Sequence, residues 1–139
     1  MGRIKGFEQL QVYQRAFEAA MTLFGLSKQW PKEERYAMTD PIRRSSRSVC
    51  SNLAEAWSKR RYPAHFVSKL SDAEQEAAET TVWLRFALRC GYLDRKEFDQ
   101  LIEEYDFIRG GLINMMQQPD KWCGPSNQVK EDEISYDLL

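Results

Sequence analysis

Polar side chains that could do chemistry recur at helical spacing in two parts of the sequence. Within each line the residues lie three or four positions apart and so share one helix face. The first line is Arg44, Ser48, Asn52 and Glu55, and the second is Asp72, Glu76 and Glu79. Where such lines meet between helices, the base or the amide of the first can pair with carboxylates of the second. We predict a polar network that fixes helix register, made of Arg44, Ser48, Asn52, Glu55 and Glu79.

Catalysis or metal binding by these carboxylates is the alternative, and other residues do not favour it. Di-iron bundles use Glu-x-x-His pairs on two helices, but this chain has one histidine, His65. Its three cysteines, Cys50, Cys90 and Cys123, form no Cys-x-x-Cys pair, and their odd number does not indicate a disulfide framework. The sequence has no glycine-rich phosphate loop. We predict no catalytic residues, no metal, no cofactor and no enzymatic activity.

Charge is unevenly distributed along a chain whose net charge is −1. Residues 41–70 contain seven bases and one acid, whereas residues 91–139 contain eleven acids and five bases. Arginine binds phosphate with two parallel hydrogen bonds, so the first region is a candidate nucleic-acid surface. The predicted phosphate contacts are Arg43, Arg47, Lys59, Arg60 and Arg61. The alternative is a solvated helix face, or one paired with acidic neighbours in the bundle or oligomer.

Apolar periodicity predicts four helices that position these residues. They cover about Phe7 to Gln29, Thr39 to Arg61, Ala64 to Cys90 and Asp94 to Met115. Their predicted inward stripes contain Ile42, Val49 and Leu53 in the second helix, Phe66, Leu70 and Leu84 in the third, and Phe98, Tyr105 and Leu112 in the fourth. Similar lengths and short connections favour an all-α fold, an antiparallel up-down-up-down four-helix bundle. We predict a bundle domain over residues 1–118 and an acidic, disordered tail over residues 119–139. The chain has no membrane-length apolar run and no signal peptide pattern, so we expect a cytoplasmic protein.

The first helix carries two apolar stripes instead of one. The stripe assigned to the core is Leu10, Tyr13, Phe17, Ala20 and Phe24, and the second stripe is Val12, Ala16, Ala19, Leu23 and Leu26. Surplus apolar surface is typical of self-association, although a single wide core stripe is the alternative. The predicted oligomer interface consists of Val12, Leu23, Trp57 and Trp83.

Three stretches resemble one known family. They are FEQLQVYQRAF, which resembles its opening helix, PKEERYAMTDPIRRSSRSVCSNLAEAW, which resembles its central signature, and FVSKLSDAEQEAAETTVWLRFALRCGYL, which resembles its third helix. The family is that of the 23S rRNA intervening sequence proteins. The resemblance covers about Phe7 to Met116. The chain departs from it at Ala56, where the family often has glycine, and in its longer acidic tail.

The resemblance implies an antiparallel four-helix bundle that assembles into a ring, a homopentamer. Related bundles are accessory proteins of diversity-generating retroelements, whose basic surface binds nucleic acid and a reverse transcriptase. Together with the charge pattern, this predicts a non-enzymatic oligomeric scaffold that binds RNA or DNA. The alternative function is a protein–protein adaptor whose basic patch docks an acidic partner, such as a reverse transcriptase or another nucleic-acid enzyme.

Overall fold

The computed structural model describes residues 4–123 and 135–137, and it is all-helical over them. The four long helices are α1 (Gln11–Ser27), α2 (Asp40–Ser58), α3 (Pro63–Arg89) and α4 (Arg95–Met116), and a short α5 (Pro119–Trp122) follows. Single turns of 3-10 helix cover Phe7–Gln9 and Lys32–Glu34, and a π-helical turn covers Arg35–Thr39. The all-α prediction is confirmed.

Local signals in the sequence account for the helix ends. Pro41 and Pro63 lie in the first turns of α2 and α3, where the missing N–H has no intrahelical partner to lose. Gly91 follows α3 with a φ of 80°, a backbone conformation that favours glycine. Asp94 and Glu97 form a capping box at the start of α4, with hydrogen bonds of 2.7 and 2.9 Å.

Each long helix contacts the helix before it and the helix after it, and α1 also contacts α4. The α2–α3 contact is the most extensive. The core lies between the four helices and contains the predicted stripes of α2, α3 and α4, including Leu53, Leu70 and Leu112. Burial of such apolar side chains is the main favourable contribution to folding.

The core stripe predicted for α1 is confirmed only in part: Leu10 and Ala20 are buried, but α1 faces the bundle mainly with its second stripe. Val12, Ala16, Ala19 and Leu23 are buried, while Phe17 is 45% and Met21 48% exposed. Both stripes have helical spacing, so periodicity alone does not choose between them. Small residues on the buried side let α1 approach its neighbours closely.

The folded bundle extends beyond the predicted boundary at residue 118. Trp122 in α5 is buried and its ring meets that of Trp57 edge-on at 5.7 Å. Residues 135–137 contact α4. The expected disorder over residues 124–134 and 138–139 lies outside the described residues. No helix in the described ranges is long and apolar enough to cross a membrane.

Candidate nucleic-acid interface

A groove on the outer side of α2 collects three arginines. Its volume is about 440 Å³, and it is lined by Asp40, Arg43, Arg44, Arg47, Ser48 and Ser51. We call it the arginine groove. Arg44 belongs to it in addition to its predicted place in the polar network. Guanidinium groups and serine hydroxyls together offer many hydrogen-bond donors to an anion.

One aromatic ring of α1 orders the bases around this groove. The guanidinium carbons of Arg43 and Arg47 lie 4.9 and 5.5 Å from the centre of the Phe24 ring, and Lys28 Nζ lies 4.6 Å from it. Arg43 is further fixed because its Nε donates to Ser27 Oγ over 2.8 Å. Cation–π contacts of this kind hold a cation in place without neutralising its charge.

The groove arginines form no ion pair within residues 4–123 and 135–137. In that part of the chain, the ion pairs join Arg15 to Glu104, Lys69 to Glu55 and Asp72, Arg95 to Asp99, and Arg109 to Glu74. Lys69 is thereby removed from the basic surface. Asp40 also lines the groove, and the charge of Arg44 opposes the burial that raises the pKa of Glu76. With three arginines and one lining carboxylate, the groove keeps a net positive charge.

The other predicted phosphate contacts lie at the end of α2. Lys59 and Arg61 are exposed. The Arg60 guanidinium lies 3.8 Å above the Trp57 ring, and its Nε donates to Trp57 O over 3.0 Å. Burial lowers the pKa of Arg60. Arg47 and Lys59 are separated by about 18 Å along α2, at 1.5 Å per residue, so the predicted contacts form two separate groups.

The predicted polar network is partly brought together between α2 and α3. Burial and the neighbouring Glu79 raise the pKa of Glu76, and Ser48 and Arg44 on α2 partly oppose this shift. Glu55 pairs with Lys69 at 2.8 Å. Asn52 Nδ2 instead donates to Ser48 O in its own helix.

Two details of the network were not foreseen. Glu79 Oε2 accepts a hydrogen bond from Trp83 Nε1 at 3.1 Å, within α3. The buried hydroxyls of Ser45 and Thr80 lie 2.8 Å apart and link α2 to α3. Each of these two residues lies on the buried face of its helix. A small hydroxyl residue on such a face does not by itself indicate a partner on another helix.

Most of the predicted oligomer interface is buried within the subunit. Val12 and Leu23 have no exposed surface and Trp57 is 8% exposed, so these three side chains belong to the core. Trp83 is half-buried and packs beside Phe86, with ring centres 6.0 Å apart. The apolar surface left for a second copy lies at other residues.

The described residues include no group of three metal-ligating side chains. His65 is exposed and its ring lies 5.7 Å from that of Tyr62. Burial raises the pKa of the Cys50 thiol to about 11, which disfavours the nucleophilic thiolate at neutral pH.

The family model described as "23S rRNA-intervening sequence protein" matches residues 8–114. The chain belongs to this family. The match includes both groups of cations on α2 and ends within α4, before α5 and residues 135–137. No curated protein matches the chain.

One solved structure with the same fold is a protein of unknown function from the S23 ribosomal protein family of Bacteroides thetaiotaomicron. It is 28% identical, with a TM-score of 0.69, and the match covers 77% of this chain and 99% of that one. Nothing in either description indicates an enzyme. Family membership thus establishes the helical fold and leaves the activity to be argued from the site.

Sequence reasoning missed two members of the candidate interface. Lys28 lies outside the basic region that was counted, and Phe24 was assigned to the core. The signal was present, because Phe24 and Lys28 are four residues apart and lie on one helix face. The role of these two residues becomes clear only in the structure, where the second apolar stripe of α1 faces the core and Phe24 lies beside α2.

Proposed function

We propose that the protein is a non-enzymatic scaffold that binds nucleic acid, RNA above all, through the arginine groove. The observation that carries the proposal is that Arg43, Arg44 and Arg47 share one groove with one lining carboxylate, Asp40, and form no ion pair among the described residues. Arginine fork geometry matches phosphate oxygens, and backbone contacts of this kind supply most non-specific affinity.

Lys59 and Arg61 extend the proposed surface beyond the C-terminal end of α2. About 18 Å separates them from the groove. At about 3.4 Å of axial rise per nucleotide in a strand, this distance corresponds to about five phosphates. One strand that follows α2 would therefore meet both groups. Weak contacts at linked sites add up because each raises the effective concentration of the next.

We propose an antiparallel up-down-up-down order for the bundle that presents this surface. The supporting contacts between α2 and α3 join Ser45 to Thr80 and Glu55 to Lys69. From the first contact to the second, the residue number on α3 falls as the residue number on α2 rises, which is the pattern of two antiparallel helices. The short connections on either side of α3 agree with this order.

We further propose that copies of the chain form a ring, the homopentamer that the family resemblance implies. Two unlike apolar patches support a head-to-tail contact, which closes into a ring when its rotation allows. The first, on α1, contains Phe17 and Met21, and the second, on α3, contains Val82 (48% exposed) and Phe86 (54% exposed). A ring would repeat the arginine groove once per subunit.

The binding proposal is tested by filter-binding titrations with RNA and with duplex DNA at low salt. The test variant replaces Arg43, Arg44 and Arg47 with alanine. A control variant replaces Arg89, Arg95 and Lys96, which are exposed outside α2, and loses the same charge. We expect the test variant to lose at least tenfold in affinity and the control much less. Equal losses, or no binding by the wild type, would contradict the proposal.

The oligomer is tested separately by mass photometry of Phe17→Asp and Phe86→Asp. Each places a carboxylate in one apolar patch, and we expect each to dissociate the ring because burying an unpaired charge is costly. Tyr36→Asp is the matched control, since Tyr36 is exposed outside both patches. A monomeric wild type, or assembly unaffected by both patch variants, would rule out this arrangement.

An acidic protein partner is the competing occupant of the arginine groove. A pull-down with nuclease treatment separates the two functions. If the groove binds nucleic acid, nuclease treatment should release the proteins that are captured through the groove arginines. A partner protein that stays bound after nuclease and is lost in the triple arginine variant would favour the adaptor function instead.

A further inference from the structure

A short non-helical segment of the chain lies against a pair of glycines in α4. Gly110 and Gly111 are buried, and the segment over them is Ser135–Asp137. A Cβ atom added at Gly110 would collide with the carbonyl oxygen of Tyr136. One added at Gly111 would lie 2.6 Å from Tyr136 Cε1. The surface of α4 therefore admits this segment because both positions lack a side chain.

The glycines are required by the segment more than by the packing of the bundle. All three atoms nearest to a Cβ at Gly110 belong to Tyr136 and Asp137. At Gly111, the nearest atom of α1 is Val12 Cγ2, at 3.4 Å, farther away than the Tyr136 ring. Each glycine inside a helix costs about 1 kcal/mol relative to alanine, so two adjacent ones point to a close approach that alanine would prevent.

Two further side chains hold the segment at this place. The rings of Phe107 and Tyr136 stack at 4.5 Å, with their planes 3° apart. Asn114 Nδ2 donates to Asp137 O over 3.0 Å and to Gly110 O over 2.8 Å. The amide thus binds main chain, whereas the ring selects an aromatic side chain. Peptide sites commonly divide affinity and specificity in this way.

The platform for the aromatic ring is fixed from within the bundle. The guanidinium carbon of Arg15 lies 4.0 Å from the centre of the Phe107 ring. Arg15 is in turn held by Glu104, to which its Nη2 donates over 2.8 Å. Phe107 is therefore ordered by contacts that do not involve residues 135–137. A preorganised site of this kind binds with less loss of conformational entropy.

We propose that Phe107, Gly110, Gly111 and Asn114 form a peptide-binding cleft for a non-helical segment with an aromatic residue. In this chain its occupant is the segment Ser135–Asp137, which acts as a removable strap. The strap lies beyond the part of the chain that the family model matches, whereas all four cleft residues lie within it. A tethered segment competes at an effective concentration of about 1 mM, which a partner segment of the same chemistry must overcome.

The test uses full-length variants and a fluorescent peptide with the sequence of residues 131–139, EDEISYDLL. Tyr136→Ala removes the aromatic anchor of the strap and leaves the cleft intact. Adding Gly111→Ala fills the cleft. Adding Gly25→Ala instead is the matched control, because nothing lies within 4 Å of a Cβ at that helical glycine. Circular dichroism establishes that each variant is folded.

We expect the Tyr136→Ala chain to bind the peptide saturably and the Gly25→Ala control to bind it equally well. The Gly111→Ala double variant should bind at least tenfold more weakly, and the wild type should also bind more weakly because its own strap competes. A peptide with alanine in place of tyrosine should not bind. No binding by the Tyr136→Ala chain, or equal binding by the filled cleft, would overturn the proposal.

Discussion

The two sides of α2 follow different physical rules. Its inner side buries Ile42, Val49 and Leu53 without exposed surface, and close packing fixes their positions. Its outer side presents Arg43 and Arg47, which are ordered by one aromatic ring and remain without an ion pair among the described residues. The inner face of α2 therefore contributes to stability, whereas its outer face is available for binding.

The largest effect should come from the inner side. Leu53→Ala leaves a cavity in the core, and we expect it to lower the free energy of unfolding by about 2–5 kcal/mol. Tyr36→Ala, at an exposed position outside both apolar patches, should change it by about 0.5 kcal/mol or less. Urea denaturation measures both. A similar small change for both variants would show that the inner side is not packed as described.

A smaller effect is expected at the seam between α2 and α3. Ser45→Ala removes the buried hydroxyl contact with Thr80 and should cost about 1 kcal/mol. The control is Ser51→Ala, because the exposed Ser51 hydroxyl donates to Ser48 O within its own helix. Thermal melting compares the two. If Ser51→Ala lowers the melting temperature more than Ser45→Ala does, the hydroxyl pair does not stabilise the contact between α2 and α3.

The outer side should contribute least to stability. Arg44→Ala and Arg47→Ala remove exposed cations without ion pairs among the described residues, so each should change the free energy of unfolding by about 0–1 kcal/mol. The same variants should weaken binding of RNA. Urea denaturation and an RNA titration of each variant measure the two effects. A loss of stability as large as that of Leu53→Ala would contradict the difference between the two faces.

An alkaline pH profile sharpens the comparison at the border between the faces. Burial raises the pKa of Cys50 from 9.0 to about 11. The unfolded chain releases this proton first, so the contribution of Cys50 to stability is full below about pH 9 and is lost as the pH rises to about 11. Cys50→Ala should remove this part of the slope in pH-dependent denaturation. Identical slopes for both proteins would contradict the burial of the thiol.

Much of the fold follows from local patterns. The stripes of α2, α3 and α4 were predicted with the correct face inward, and Pro41, Pro63, Gly91 and the Asp94 capping box mark helix ends. These signals depend on backbone geometry and on one apolar face per helix. For α1 the same logic was right only at Leu10 and Ala20, since both of its stripes are apolar and Phe17 is exposed.

The contacts that define the two proposed sites join distant parts of the sequence. Phe24 meets Arg43 and Arg47 across the α1–α2 contact, and Gly110 accepts Tyr136. Charge counting found the arginines because seven bases in thirty residues are visible without a fold. The glycine pair was visible as well, but which segment approaches it depends on tertiary structure.

The central claim is that the groove arginines contact phosphates directly, and the salt dependence of duplex binding tests it most directly. The slope of log K against log salt should be shallower by about 2.7 when Arg43, Arg44 and Arg47 are replaced with alanine, or about 0.9 per lost phosphate contact. The Arg89, Arg95 and Lys96 control should keep the wild-type slope. Equal slopes for the wild type and the groove variant would contradict the claim.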